Sequence, residues 1–341
     1  MLCSPGWNRT RNNMPTRDLI AKKAKVSSAT VSRVYNDPDS VSPEKRERVL
    51  AAAAKYGYVP DKHASALRRN ASGSIMFLER RPHASSPDER YYLWLYADVI
   101  RAVQSVIDSS MFNLMLRSFT DIGEIDHIRE ECDAVICHSL TDREAAHMHT
   151  LGMPYVCCYR NMAHDINTVF VDEYAGGKLA GTRFREHGLT KPAHITGALA
   201  QNNVCAQRWE GFASCFEQEP MLMNGALGIA GGYTSGKAVV RSIKDGSVDS
   251  IFIVNDLTAI GVVHALTESG IRIPGDVSLI GYDNLPFTQT LPFSLATIAL
   301  SLSEVYAAAA RSLLASIRSP GPIRTSITPA YVDGASVRQM H

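Results

Sequence analysis

Between residues 27 and 36 the chain runs Ser27-Ser28-Ala29-Thr30-Val31-Ser32-Arg33-Val34-Tyr35-Asn36. Wound as an α-helix from Ser28 to Tyr35, this stretch turns Val31 and Val34 to one side and leaves Ser28, Ala29, Ser32 and Arg33 on the other. Such an outer face suits the edge of a DNA duplex. An arginine fork matches a guanine, an alanine methyl meets a thymine methyl, and small hydroxyls, here those of Ser27, Ser28, Thr30 and Ser32, bond bases or phosphates. The same spacing also fits a plain helical hairpin with Arg33 merely solvated, and spacing alone does not choose.

The flanking residues supply what must hold such a helix in place. Thr16 is a natural N-cap for a first helix over Arg17 to Ala24, whose apolar side is Leu19, Ile20 and Ala24. A short turn at Lys25-Val26 follows, and Ser27 caps the second helix. A third helix, Pro43 to Tyr56, begins with proline where no N–H is needed and offers Val49, Leu50, Ala53 and Ala54 to close a small core. Two short helices joined by a tight turn make a helix-turn-helix, whose second helix enters the major groove. Thr16 and Asn36, at the outer ends of the pair, join the set expected to face DNA.

Charge supports the division. Residues 1–72 carry fourteen Lys and Arg against six Asp and Glu, a local net of +8, while the remainder nets −7 within an overall +1. A basic module for a polyanion, attached to a domain with another task, accounts for that asymmetry. The seven cysteines (Cys3, Cys132, Cys137, Cys157, Cys158, Cys205 and Cys215) include no Cys-x-x-Cys pair, and most fall in apolar runs. Buried reduced thiols explain them better than disulfides or zinc. Neither an apolar signal core nor a membrane-length apolar run is present, so a cytoplasmic location is expected. Residues 1–13 are polar and unpatterned and are expected to be a disordered extension ahead of a start at Met14.

Taken in order, Val26 to Asn36, Val41-Ser42-Pro43-Glu44-Lys45-Arg46-Glu47-Arg48-Val49 and Gly57-Tyr58-Val59-Pro60 resemble the DNA-reading head of the lactose-repressor (LacI/GalR) family. The resemblance extends over roughly residues 14 to 335. It implies an all-α helix-turn-helix domain over 14–60, a hinge over 61–72 and an effector-binding and dimerisation domain over 73–341. In the hinge it implies a helix in which Leu67 wedges into the minor groove, Ala64 packs on the partner helix and Arg68 lies at the DNA. An isolated helix of nine residues is marginal in water, consistent with a segment ordered only on DNA. Three departures are visible. Lys25 stands where the family carries glycine, Asp18 lies one position before the customary aspartate, and Asp61 replaces an asparagine.

Beyond Ile75, short apolar runs alternate with amphipathic stretches. Ser74–Leu78, Phe112–Arg117, Ala134–Cys137, Tyr155–Cys158, Ala193–Thr196, Ser250–Val254 and Ser278–Tyr282 read as strands. Tyr96–Ser109, Gly176–Glu186 and Ala259–Ser269 read as helices. Such alternation predicts an α/β domain of doubly wound parallel sheets, with ligands bound outside the carboxyl ends of the strands. The resemblance makes it a two-lobed, periplasmic-binding-protein-like domain, lobe 1 being about 73–172 and 301–325 and lobe 2 about 173–300 and 326–341. Val171 to Gly177 matches the first crossing between lobes. The blocks around Arg208-Trp209-Glu210-Gly211-Phe212, Asn255-Asp256 and Asp283-Asn284 imply effector contacts at Arg208, Asn255 and Asp283, with Tyr96 and Tyr233 as aromatic candidates. Each has a structural alternative: Arg208 in an ion pair, Asn255 and Asp283 as helix caps, Tyr96 in a core. Arg80 and Arg81, just after the first strand, hint at an anionic ligand.

The function implied is a sequence-specific, homodimeric transcription regulator, most simply a repressor, that binds pseudo-palindromic operator DNA under control of a small metabolite such as a sugar or sugar acid. No cofactor, metal or membrane partner is expected. The chain carries no phosphate loop, no Gly-x-Ser-x-Gly elbow and no His-Glu-x-x-His motif, which weighs against an enzyme. An exported solute-binding protein or a sugar-processing enzyme of similar two-lobed fold is the alternative, opposed by the basic N-terminal module.

Overall fold

A computed structural model describes residues 15–36, 38–58, 72–81, 89–201 and 203–339, with side chains described for all of these except 36, 39, 89–95 and 201. Three helices, α1 (Arg17–Ala24), α2 (Ser28–Asn36) and α3 (Pro43–Tyr56), make the N-terminal module. Their core is Ile20, Ala21, Ala24, Val31, Val34, Val41, Val49 and Ala52, with Tyr35, Tyr56 and Tyr58 packed against it. The expected inward residues of the third helix need one correction. Leu50 is 42% exposed and Ala54 is exposed, while Ala52 is buried beside Ala53. At 100° per residue, Val49, Ala52 and Ala53 form a single stripe that Leu50 and Ala54 flank.

The turn between α1 and α2 explains why the first helix stops. Lys25 adopts φ 54°, ψ 49°, the left-handed region, so the Lys25 N–H reaches the Lys22 carbonyl and the Val26 N–H the Ala21 carbonyl at 3.0 Å. This is the hydrogen-bond closure that glycine makes without strain. Gly57 closes α3 with φ 64°.

The larger region holds two six-stranded sheets. The first, in order β11-β5-β4-β3-β1-β2, uses β1 (Ser74–Arg80), β2 (Asn113–Phe119), β3 (Ala134–His138), β4 (Tyr155–Tyr159), β5 (Thr168–Val171) and β11 (Arg324–Ile327). The second, in order β12-β10-β9-β8-β6-β7, uses β6 (Pro192–Thr196), β7 (Met221–Asn224), β8 (Ser250–Ile253), β9 (Ser278–Asp283), β10 (Ala296–Ala299) and β12 (Ala330–Val332). All pairings are parallel except β10 with β12, so the expected parallel sheets hold with one antiparallel edge.

Helices α4 (Glu89–Asp108), α5 (Asp142–Thr150) and α10 (Leu302–Arg318) clothe the first sheet; α6 (Glu173–Glu186), α7 (Asn203–Ala213), α8 (Gly228–Lys244) and α9 (Asp256–Glu268) clothe the second. The chain passes between the sheets after Val171, after Ala299 and after Ile327, and Leu300 packs against the cores of both lobes. The cysteines within the described residues, from Cys132 to Cys215, are free and buried, as their apolar settings require.

Candidate nucleic-acid interface and ligand cleft

Thr16 caps α1, its hydroxyl accepting the Leu19 N–H at 3.2 Å. Ser27 caps α2, accepting the Thr30 N–H at 3.1 Å and sharing a hydroxyl contact with Thr30 at 2.9 Å. The Ser28 hydroxyl donates inward to the Asp18 carboxylate, which itself sits 3.9 Å from Arg17. Asp18 therefore ties α1 to the start of α2. Along α2, Ala29 and Arg33 are exposed four residues apart, Thr30 and Ser32 are half-buried, and Val31 and Val34 are buried. Asn36 ends the helix, and its side chain lies outside the described residues, as do Ala64, Leu67 and Arg68 of the hinge and the extension over 1–13. Ala29 and Arg33 thus present a methyl and a forked donor on one strip of helix, the pair of groups best suited to a base edge.

The cleft is built from strand ends. Parallel register brings Glu79 beside His138, Arg80 beside Phe119 and Tyr159 beside Phe170 at the rim of lobe 1. In lobe 2 the matching rim carries Thr196, Val254, Asn255, Asp283 and Asn284. Ser139 (φ 58°), Tyr159 (81°), Asp283 (106°) and Asn284 (59°) are non-glycine residues in positive-φ conformations, and each sits at such a rim. Backbone held in these regions costs about 1–3 kcal/mol per residue and concentrates where ligands are gripped.

Arg208 lies at the root of the cleft, 2% exposed. Its Nε donates to Glu173 Oε2 at 2.8 Å, one Nη to Glu173 Oε1 at 3.2 Å and the other Nη to the Val254 carbonyl at 2.5 Å. The guanidinium lies 3.5 Å over the Tyr282 ring, and the Tyr282 hydroxyl donates to the same Glu173 carboxylate at 2.7 Å. Asp283 stands 3.8 Å from Arg208, with its side chain 12% exposed. Burial pushes the Asp283 carboxyl well above the usual range even though Arg208 pulls it down. The arginine alternative raised by sequence is thus realised, with its pairing to Glu173, and Arg208 meets the cleft through Asp283.

Close backbone packing sets this depth. A Cβ on Gly177 would fall 2.0 Å from the Arg208 carbonyl oxygen, and one on Gly211 1.9 Å from that of Tyr174, so α6 and α7 touch backbone to backbone. Beneath the Asp283 turn, buried Asp256 accepts the Leu285 N–H at 2.8 Å and the Thr297 hydroxyl at 2.9 Å. Burial outweighs these hydrogen bonds and lifts its carboxyl to about 7. Asn255 caps α9, its side-chain oxygen accepting the Thr258 N–H at 2.9 Å.

Lobe 1 brings rings. Tyr96 packs edge-on against Phe77 (5.7 Å) and His138 (6.0 Å), and Tyr306 lies 5.6 Å from His138 and bonds its Nδ1. Burial holds His138 neutral, its imidazolium lowered to about 4. Burial, then the charge of neighbouring Glu79 and a hydrogen bond to it, raise the Tyr96 phenol. Tyr159 spans the lobes, close enough to Tyr306 on one side and to Arg208 and Tyr282 on the other to interact electrostatically with each.

Other expectations change. Tyr233 does not join this cluster: its hydroxyl donates to Glu268 at 2.6 Å and its ring lies 5.4 Å from His264. Glu268 is the last residue of α9, about 18 Å along the helix from Asp256 at the strand ends, so the Tyr233 hydroxyl is held at the far end of that helix. Arg80 is paired with Glu144 at 2.8 Å, and exposed Arg81 donates to the Ser118 hydroxyl. Glu173, His138, Tyr159, Tyr306 and Asp256 received no role from sequence. For His138 and Tyr159 a signal existed: each directly follows an apolar strand run, where ligands of doubly wound sheets bind. The described residues hold no cluster of metal-ligating side chains and no helix long and apolar enough to cross a membrane.

A helix-turn-helix joined in one chain to a two-lobed domain is the architecture of a DNA-binding transcription regulator with a sensor. Residues 18–61 match "Bacterial regulatory proteins, lacI family" and residues 182–337 match "Periplasmic binding protein-like domain". The chain thus carries a lacI-family DNA-binding domain followed by a periplasmic-binding-protein-like domain. Among its relatives, the HTH-type transcriptional regulator CelR of Thermobifida fusca is 29% identical over 291 residues, covering 80% of this chain and 83% of that one. The ribose operon repressor of Halalkalibacterium halodurans is 28% identical over 313 residues, covering 89% and 91%. Among solved structures, the CelR–cellobiose complex superposes with a TM-score of 0.64 at 23% identity, covering 94% of this chain and 99% of that one. The lac repressor dimer bound to operator and an anti-inducer gives 0.64 at 19% identity, covering 94% and 98%.

Proposed function

We propose that the chain is a cytoplasmic, homodimeric repressor whose hold on operator DNA is set by a small hydroxyl-rich metabolite in the cleft between its lobes. The observation that carries this reading is the convergence of strained strand ends from both lobes on Asp283, Tyr159 and the Arg208–Glu173 pair, in a chain that also carries Arg33 and Ala29 outward on a reading helix. Relatives act on sugar operons by name, and one solved relative holds cellobiose. Half-site symmetry requires two reading helices about 34 Å apart, hence two copies.

In this mechanism the metabolite changes the angle between the lobes and thereby the spacing of the two chain segments that lead from sensor to DNA. Ala64, Leu67 and Arg68 belong to that hinge, Leu67 as the wedge between base steps. A coupling of about 1–3 kcal/mol would change operator affinity roughly 5- to 150-fold. The test is fluorescence anisotropy of the full chain on palindromic duplexes from upstream DNA, at two salt concentrations and with sugars added. A steeply salt-dependent preference for one palindrome, altered by a sugar, is the expected result. Equal affinity for random duplex would overturn it. Leu67→Ala should weaken operator binding and leave sugar binding in place.

A further inference from the structure

Asp133 stands just ahead of β3 and gathers the chain where it enters lobe 1. Its carboxylate accepts the Ser72 N–H at 3.0 Å, the Ser72 hydroxyl at 3.0 Å, the Gly73 N–H at 2.7 Å and the Ser74 N–H at 3.1 Å. Gly73 takes φ 73°, which turns successive amides toward one carboxylate, as in a backbone nest for an anion. Two backbone bonds complete the clasp. The Asp133 N–H reaches the Ser74 carbonyl at 2.9 Å, and the Asn113 N–H the Gly73 carbonyl at 2.8 Å. Hydrogen bonds to an ionised carboxylate are roughly twice as strong as neutral ones, so Ser72 is fixed to the amino ends of β1 and β3. Near their other ends the same strands carry Glu79 and His138 on the cleft rim.

Lobe 2 has the same device at the matching place in its sheet. Asp249, just ahead of β8, accepts the Thr190 N–H at 3.0 Å and the Lys191 N–H at 3.2 Å where the chain enters β6. There the incoming chain is the lobe's own, following α6. In lobe 1 it is the chain arriving from the reading module.

We propose that Asp133 is a positioning residue for operator binding: its clasp sets the point at which each reading module is tethered, and with it the half-site spacing that the dimer accepts. This rests on the homodimeric operator reading above. Without the carboxylate both the amide and the hydroxyl of Ser72 are released, and each freed residue adds about 3.3–3.6 Å of reach. One base-pair step is about 3.4 Å, so a tether longer by a single residue spans a half-site displaced by one base pair.

The experiment is anisotropy of the full chain on the palindrome it selects from random-sequence duplex, and on that palindrome with one or two base pairs inserted at or removed from its centre. The unaltered chain should bind the selected spacing about tenfold or more tighter than its neighbours. Asp133→Ala should reduce that ratio to about threefold or less, the equivalent of losing one hydrogen bond to a charged group. Asp249→Ala is the control, because it breaks the matching clasp away from the tether. It should lower the urea midpoint as Asp133→Ala does and leave the ratio unchanged. Should Asp133→Ala not fold, Ser72→Ala removes the hydroxyl bond alone and should lower the ratio by about twofold. An unchanged ratio in the variant that folds overturns the proposal while operator binding stands. An equal fall in Asp249→Ala also overturns it, since loosening either lobe would then suffice. So does a flat spacing profile in an unaltered chain that still prefers one palindrome. No preference for any palindrome over random duplex removes both this proposal and the operator reading.

Discussion

Arg33 stands on the outer face of α2 in solvent, while Arg208 lies under the cleft with 2% of its surface accessible, clamped by Glu173, Tyr282 and the Val254 carbonyl. Both residues are cations on short helices that follow a turn or loop, and both belong to the sites proposed to bind. The reading helix keeps its chemistry outside because its partner is a polyanion that brings its own charge. The sensor keeps its charge inside, satisfied by its own carboxylate. Function at the first site can therefore be altered without disturbing the fold, whereas at the second the charged pair beneath the strand ends is itself part of the buried core.

Removing Arg208 should produce the largest effect in the molecule. Arg208→Ala leaves the Glu173 carboxylate buried without its cation, and breaking a buried pair by one partner costs about 3–5 kcal/mol. Urea denaturation should show that loss, and the double change Arg208→Met with Glu173→Leu should recover most of it. A single-variant loss below about 0.5 kcal/mol, the range of surface substitutions, would place Arg208 in the same class as Arg33 and erase the contrast.

Each lobe also buries a neutral histidine, whereas residues 15–58 of the reading module contain none. His194 is stacked on Phe252 (4.6 Å) and Trp209 (5.8 Å), and its Nε2 is buried without a partner. Burial lowers His194 to about 3 and His138 to about 4. Above about pH 6.5 both folded and unfolded chains hold these rings neutral, and stability is unaffected. As pH falls below that, the unfolded chain takes up protons that the fold refuses. Stability then drops by up to about 1.4 kcal/mol per pH unit for each ring, until the folded value is reached. His194→Phe, which keeps the stack, should flatten the acid side of a stability-against-pH curve between pH 6.5 and 4. An unchanged slope would mean that the ring is protonated in the fold.

How far these two regions were legible follows from how local their causes are. The reading module is written in consecutive residues: Thr16 and Ser27 cap, Val31 and Val34 turn inward, Ala29 and Arg33 turn outward, each fixed by helical period over a few positions. Even there, Leu50 and Ala54 were misplaced, because Val49–Leu50 and Ala53–Ala54 are adjacent apolar pairs and period alone does not say on which side of them the stripe lies. In the sensor, seven strand runs were visible as apolar blocks, but each was read one or two residues out of place at an end. His138, Tyr159 and Asp283 fall on those displaced ends. The partner of Arg208 is thirty-five positions away, and the glycine contact that seats it joins two helices. Tyr233 was misread because a stacking ring and a surface ring look alike until the neighbouring helix supplies Glu268.

Arg33→Ala tests the exposed half of the comparison with a smaller effect. Unfolding free energy should change by no more than about 0.5 kcal/mol, as for surface positions generally. Operator affinity should fall by about 1–3 kcal/mol, concentrated at one base-pair position if Arg33 reads a guanine. A substitution that weakened specific and random duplex equally, with a shallower salt slope, would mark Arg33 as a phosphate contact.

Lys25 carries the smallest effect and joins both halves, since it is a strained backbone position in the otherwise unstrained reading module. Its φ of 54° lies where a side chain is crowded by its own carbonyl, at about 1–2 kcal/mol, and where glycine is at ease. Glycine also gives the unfolded chain more freedom, which offsets part of the gain. Lys25→Gly should therefore stabilise the module by a net of about 0.5–1 kcal/mol. Lys25→Ala is the control, because it removes the same charge and keeps the crowding. Denaturation of the two variants, followed by amide exchange at the Val26 N–H that closes the turn onto Ala21, separates backbone strain from lost charge. Slower exchange in the glycine variant than in the alanine variant is the expected result; identical rates would mean that the turn holds no strain and that the lysine there has no conformational cost.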